Sequence, residues 1–195
     1  MKSGALVSLF VGALFLSGCS GQQWDTLDVT GVLPELRFQM TDENYTDVTA
    51  EDYHGNVVLL YFGFTHCPDV CPLTLSRLAM VARQLSPAER DELTILFVSV
   101  DPERDRPHYL ANYTSVFGPE FVGLMSDDSA NLDALVRRFR VTYSYGEKDD
   151  YGQYDVNHSS AIFAFNREGK SRLVIRDNDS DAAVLNDIRR LIARN

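Results

Sequence analysis

Two cysteines four positions apart, Cys67 and Cys71, are the residues of this chain best suited to chemistry. They stand in Gly63-Phe-Thr-His-Cys67-Pro-Asp-Val-Cys71-Pro72, with a proline directly after each. A thiolate is both a nucleophile and a metal ligand. Residues four apart on a helix lie about 6 Å apart along its axis, so the pair can close into a disulfide after modest adjustment or grip one soft metal ion. The flanking sequence says where the pair sits. Val57 to Phe64 is an unbroken run of apolar residues and glycine, read as a strand buried on both faces. From Leu75 the apolar positions fall at Leu78, Ala79, Ala82 and Leu85, the stripe of a helix. Pro68 disfavours helical backbone at Cys67, while Pro72 suits a first helical turn. Both thiols therefore fall where a buried strand hands over to a helix N-terminus, whose free N–H groups and positive dipole end favour thiolate. The two prolines point to a fixed, exposed turn and to functional rather than structural cysteines.

A third cysteine, Cys19, belongs to other business. Met1-Lys2 precedes an apolar run from Ala5 to Leu16, followed by Leu16-Ser17-Gly18-Cys19. Residues 1–18 have the short basic and apolar regions of a secretory signal and are too short to span a bilayer comfortably. The ending resembles a bacterial lipobox, in which Cys19 becomes the lipidated first residue of the mature chain. The expected product is an exported domain, lipid-anchored on the periplasmic side of a bacterial membrane. The chain of 195 residues carries a formal net charge of −10, which argues against nucleic acid and anionic lipid surfaces as direct partners. One remaining thiol pair in an exported chain is no disulfide scaffold.

The elements that must position the cysteines follow in order. Residues 19–35 read as a tether. Leu36 to Met40 alternates as an edge strand, and Asp42-Glu43-Asn44 offers a hairpin turn before Tyr45 to Val48. After the cysteine-bearing helix, Leu93 to Val100 is a second buried strand that ends in Asp101-Pro-Glu-Arg-Asp105. Asp105 is expected to cap a helix with Pro107 in its first turn. A short strand at Phe121 to Leu124 leads to a helix with apolar residues at Leu132, Leu135, Val136 and Phe139. A hairpin over 141–145 and 153–156, strands at 161–165 and 172–175, and a final helix burying Val184, Ile188 and Leu191 complete the chain. Strands alternating with helices, and an antiparallel pair near the end, predict a three-layer α/β fold. A dithiol at the first strand-to-helix junction places it in the thioredoxin-like branch, with an N-terminal β-hairpin added and the domain spanning 36–195.

Three segments together resemble the Sco/SenC family of copper-binding thioredoxin-fold proteins: Phe62-Gly-Phe-Thr-His-Cys67-Pro-Asp-Val-Cys71-Pro72, Val98-Ser-Val-Asp101-Pro-Glu-Arg-Asp105 and Tyr154-Asp-Val-Asn-His158-Ser159. The resemblance runs from about Leu36 to the C-terminus, in the family's order. It implies a copper site of Cys67, Cys71 and His158, serving assembly of the CuA centre in subunit II of cytochrome c oxidase or delivery to another copper protein. Asn157 stands where the family often has Asp. The ligand types agree with the implication: thiolates suit Cu(I), and imidazole can also hold Cu(II). Without the resemblance, His158 would read as an ordinary loop histidine. His66, His54 and His108 read as structural or surface residues, and Met40, Met80 and Met125 as core.

The competing class is a thiol–disulfide oxidoreductase or redox sensor using Cys67 and Cys71. Such enzymes most often carry two residues between their cysteines, whereas here three intervene. Thioredoxin-type enzymes also set a cis-proline against the dithiol, and this chain has no proline after Pro119. Metal binding therefore stands first, and reversible disulfide formation is compatible with it.

Overall fold

A computed structural model describes residues 23–194. Its centre is the strand expected to carry the cysteines. This strand, β4 (Val57–Gly63), is buried at every position, as is its parallel neighbour β5 (Leu93–Ser99). Strands with no polar alternation can be stable only when both faces are covered, and here they are. On one face Tyr61 meets Phe97, which meets Tyr113; on the other Phe62 meets Phe163, which meets Phe139. The three-layer α/β arrangement expected from the sequence is present.

The sheet has eight strands in the order β1-β10-β9-β4-β5-β6-β2-β3. β6 (Phe121–Met125) runs parallel to β5, whereas β9 (Ile162–Phe165) runs antiparallel to β4 and β10 (Ser171–Ile175) antiparallel to β9. β2 (Gln39–Asp42) and β3 (Asp47–Thr49) form the expected hairpin, and β2 pairs with β6 to extend the sheet. A separate two-stranded hairpin joins β7 (Tyr143–Tyr145) to β8 (Val156–His158). Helices α1 (Val70–Ala82) and α5 (Asp181–Ala193) pack on each other, α3 (Pro107–Ser115) packs on β6, and α4 (Ser129–Arg138) precedes the β7–β8 hairpin.

Several local expectations change. Residues 24–33, read as tether, are docked: Trp24 is buried, and β1 (Leu27–Asp28) pairs with β10. Asp187 of α5, fully buried, accepts from the Thr26 N–H and hydroxyl at 2.8 Å each and so clasps this segment. Apolar spacing gives no hint of a contact between such distant segments. Asp105 does not cap α3, whose N-cap is Arg106 without a side-chain bond; its carboxylate turns back to the cysteine loop. A short helix α2 (Pro87–Asp91) follows α1, closed by a capping box between Ser86 and Glu89 that the Ser-x-x-Glu spacing signals. Met40 and Met125 lie in the core as expected, but Met80 is exposed on α1. The lipobox and Cys19 lie outside the described residues, and among those residues no helix is long and apolar enough to cross a membrane.

Candidate metal centre

β4 ends at Gly63, a turn follows, and α1 starts at Val70, so Cys67 lies in the turn and Cys71 in the first helical turn. The backbone N–H of Cys71 donates to the Cys67 sulfur at 3.4 Å, which folds the turn around that atom. Gly63 makes room for this. A Cβ there would stand 2.6 Å from Phe97 Cε2 and 2.9 Å from Cys71 Sγ, both inside contact distance. Sequence reading missed Gly63, because a glycine at a strand end has many ordinary explanations.

The third residue arrives from the β7–β8 hairpin. Side chains alternate along β8: Val156 is buried, Asn157 exposed, and His158 turned inward again. Asn157, the departure from the family pattern, therefore faces solvent. His158 Nε2 lies 3.2 Å from Cys71 Sγ, and its Nδ1 lies 3.0 Å from the Ser159 carbonyl oxygen. A carbonyl can only accept, so Nδ1 carries the proton and the Nε2 lone pair points at the thiols. Tyr61 and Phe64 stand edge-on to the imidazole at 6.0 and 5.8 Å between ring centres. Desolvation in this setting lowers the His158 pKa below the usual histidine value and keeps the ring neutral.

The two sulfurs and the imidazole nitrogen all lie within 4.8 Å of one another. Ligands 2.0–2.3 Å from a common metal stand roughly 3.5–4.6 Å apart, so small side-chain adjustments suffice to close the cluster on one ion. The group lies beside an open cleft of about 390 Å³ lined by the cysteine loop and by residues 154–158. The turn is exposed as expected at His66 and from Pro68 to Val70, but both thiols within it are free and buried, Cys67 at 9% exposure and Cys71 at 0%. The expectation of easy ionisation also fails at Cys71, whose thiol burial pushes up to about 12. A helix terminus contributes about 0.3–1 kcal/mol, less than one pKa unit, and desolvation at a fully buried sulfur outweighs it. Tyr61 adds a hydroxyl 3.8 Å from the same sulfur, which Cys71 accepts as a weak bond.

The other histidines stay outside the three-residue cluster, although His66 lines the same cleft. His66 is half exposed and bonded to Thr65, and His108 on α3 meets Tyr45. Among the described residues the Cys67–Cys71–His158 group is the one cluster able to hold a metal ion.

Fold and site together define a thioredoxin-like domain with two thiols and an imidazole at the first strand-to-helix junction. The SCO1/SenC family model matches residues 33–193, and the chain belongs to that family. It is 40% identical to the human mitochondrial SCO1 homolog over 134 residues, 68% of this chain and 44% of that protein's length. With the SCO2-like protein of Rickettsia felis it shares 33% identity over 134 residues, 68% of this chain and 64% of the relative. The chain thus spans about half the length of several curated relatives. Among solved structures, copper-bound ScoI of Bradyrhizobium japonicum superposes with a TM-score of 0.73 at 33% identity, covering 81% of this chain and 99% of that one. Apo Sco1 from Thermus thermophilus superposes with a TM-score of 0.75 at 31% identity, covering 87% and 97%.

Proposed function

We propose that this protein binds copper through Cys67, Cys71 and His158 and carries it, as cargo, toward assembly of the CuA site of cytochrome c oxidase. The observation that carries the reading is the convergence of the three ligand atoms within 4.8 Å, with the Ser159 carbonyl fixing the tautomer that leaves Nε2 free. Copper-bound relatives of the same fold support it. Two thiolates suit Cu(I), and the imidazole extends the set to Cu(II). Uptake must release the proton from Cys71, whose neutral form burial favours. We further propose that Cys19 is lipidated and holds the domain on the periplasmic face of a bacterial membrane.

Proximity of the two free thiols favours a second activity at the same site. Cys67 and Cys71 form a reversible disulfide, and since a disulfide sulfur is a poor ligand, oxidation and copper loading exclude each other. Titration of Cu(I) and Cu(II) into wild type and His158→Ala tests the reading. Cu(I) binding should weaken modestly, because two-coordinate sulfur satisfies it, while Cu(II) binding should fall steeply. Unchanged Cu(II) affinity and spectrum in His158→Ala would move the oxidoreductase reading to first place.

A further inference from the structure

His158 is carried by strands of three residues each, outside the main sheet. An isolated two-stranded hairpin is marginally stable at best, so something else must place this histidine against the thiols. The Tyr143 hydroxyl donates to Asp133 of α4 at 2.9 Å, but the larger set of polar contacts comes from the turn after β5. The Tyr145 hydroxyl of β7 donates to the Val100 carbonyl at 2.6 Å. Beyond the loop, the Tyr154 hydroxyl donates to Asp101 Oδ1 at 2.5 Å. Arg104 completes the grip: Nη1 donates to the Tyr154 carbonyl at 3.1 Å, the guanidinium carbon lies 3.7 Å from the Tyr154 ring centre, and Nε donates to Asp101 Oδ2 at 2.5 Å. The ion pair is well shielded, with side-chain exposures of 14% for Arg104 and 1% for Asp101.

The same turn also holds the other half of the site. Buried Asp105 accepts from the Thr65 N–H at 2.9 Å, the Thr65 hydroxyl at 2.5 Å and the Ser99 hydroxyl at 2.7 Å. Thr65 lies two residues before Cys67.

We infer that the Asp101–Asp105 turn is the positioning element of the site, with Arg104 setting His158 against the thiol pair. The inference rests on the three-ligand reading. Arg104 acts through the hairpin and touches neither thiol nor imidazole. A guanidinium is needed because one group must stack on a ring, bond a carbonyl and bond a carboxylate at once; a lysine ammonium offers no planar fork for this.

The test measures Cu(II) affinity, the Cu(II)–thiolate absorption band and Cu(I) affinity in the mature protein, for wild type, Arg104→Gln, Arg104→Lys, His158→Ala and the double variant Arg104→Gln/His158→Ala. Loss of an orienting partner of a metal ligand costs about 10–100-fold in affinity. Arg104 acts one step further out, so Arg104→Gln should lower Cu(II) affinity by up to about tenfold and shift the band, Arg104→Lys should fail to restore either, and Cu(I) affinity should change far less. In the His158→Ala background the Arg104→Gln change should cost no further Cu(II) affinity. Equal losses of Cu(I) and Cu(II), or losses that add in the double variant, overturn the inference. If His158→Ala weakens Cu(II) and Arg104→Gln does not, the inference fails alone; if His158→Ala leaves Cu(II) unchanged, the three-ligand reading fails and takes the inference with it. Should Arg104→Gln fail to fold, Tyr154→Phe, which deletes one hydroxyl, must show the same selective loss of Cu(II) affinity, and its absence overturns the inference.

Discussion

At Cys71 two opposing effects act on one sulfur, and their sizes decide its state. The helix N-terminus favours thiolate, burial favours thiol, and burial wins. A buried neutral thiol is a slow nucleophile toward bulky disulfides, but a small soft cation that displaces the proton faces less obstruction, which favours copper as the ligand of the reduced state. Gly63 sets the space available to that sulfur. Gly63→Ala should cost about 1–3 kcal/mol of stability through overpacking against Phe97 and Cys71, read by chemical denaturation, and should weaken copper binding by displacing Cys71. A variant of wild-type stability and affinity would show that the strand end has more room than the contacts indicate. The redox prediction lives at the same scale. Fully oxidised protein should take up copper far more weakly than fully reduced protein, and equal uptake in both would remove the proposed exclusion between disulfide and metal.

Elements were legible in proportion to how local their causes are. The β4 and β5 runs, the apolar stripe of α1 and the chemical punctuation at Pro68 and Pro72 all act within a few residues, and each announced its structure. The β2–β3 hairpin was equally readable from Asp42-Glu43-Asn44. Segments whose placement depends on remote partners were not: residues 24–33 carry weak local signals and are held by Asp187, 161 positions from Thr26. Asp105 misled for a related reason, since an aspartate before a proline-started helix fits a cap as well as it fits a reach back to Thr65. The candidate metal site divides the same way. Cys67 and Cys71 declared themselves by spacing, whereas His158, 87 residues beyond Cys71, was visible through the resemblance alone. Two predictions test these assignments. Asp187→Ala should destabilise the fold by about 2–3 kcal/mol, because the Thr26 N–H and hydroxyl lose their buried acceptor while Arg190 keeps Asp25; a change below ~0.5 kcal/mol would show the clasp is not needed. Ser86→Ala should cost about 1 kcal/mol through the lost cap of α2, with copper affinity untouched.

For the whole molecule, topology fixes where the first described residues lie relative to the candidate site. β4 delivers the thiols at its C-terminal end, and Ile162 and Ile175 stand level with that end through their pairing. α5 then runs back to the opposite pole, where Arg167 in the β9–β10 turn donates to the Ile192 carbonyl at 2.9 Å. Trp24 lies at that far pole, its ring 4.3 Å from the Arg194 guanidinium carbon. Four residues separate Cys19 from Trp24, and the five Cα steps between them reach at most about 18 Å when extended. A lipid on Cys19, as proposed, would therefore tether the domain near its membrane by the pole opposite the candidate site. Trp24 is the chain's one tryptophan, so energy transfer from it to acceptor-labelled headgroups reads this geometry. Strong transfer in the processed protein and none in Cys19→Ser is the expected result, and equal transfer in both would remove the anchor from Cys19.

The most direct measurement is X-ray absorption at the copper edge of the loaded, reduced protein, with His158→Ala alongside. Two sulfurs and one imidazole nitrogen per copper in wild type, with the nitrogen lost in His158→Ala, is the result predicted from the three converging ligand atoms. A shell of sulfur alone in both proteins, or a nitrogen that persists without His158, would contradict it.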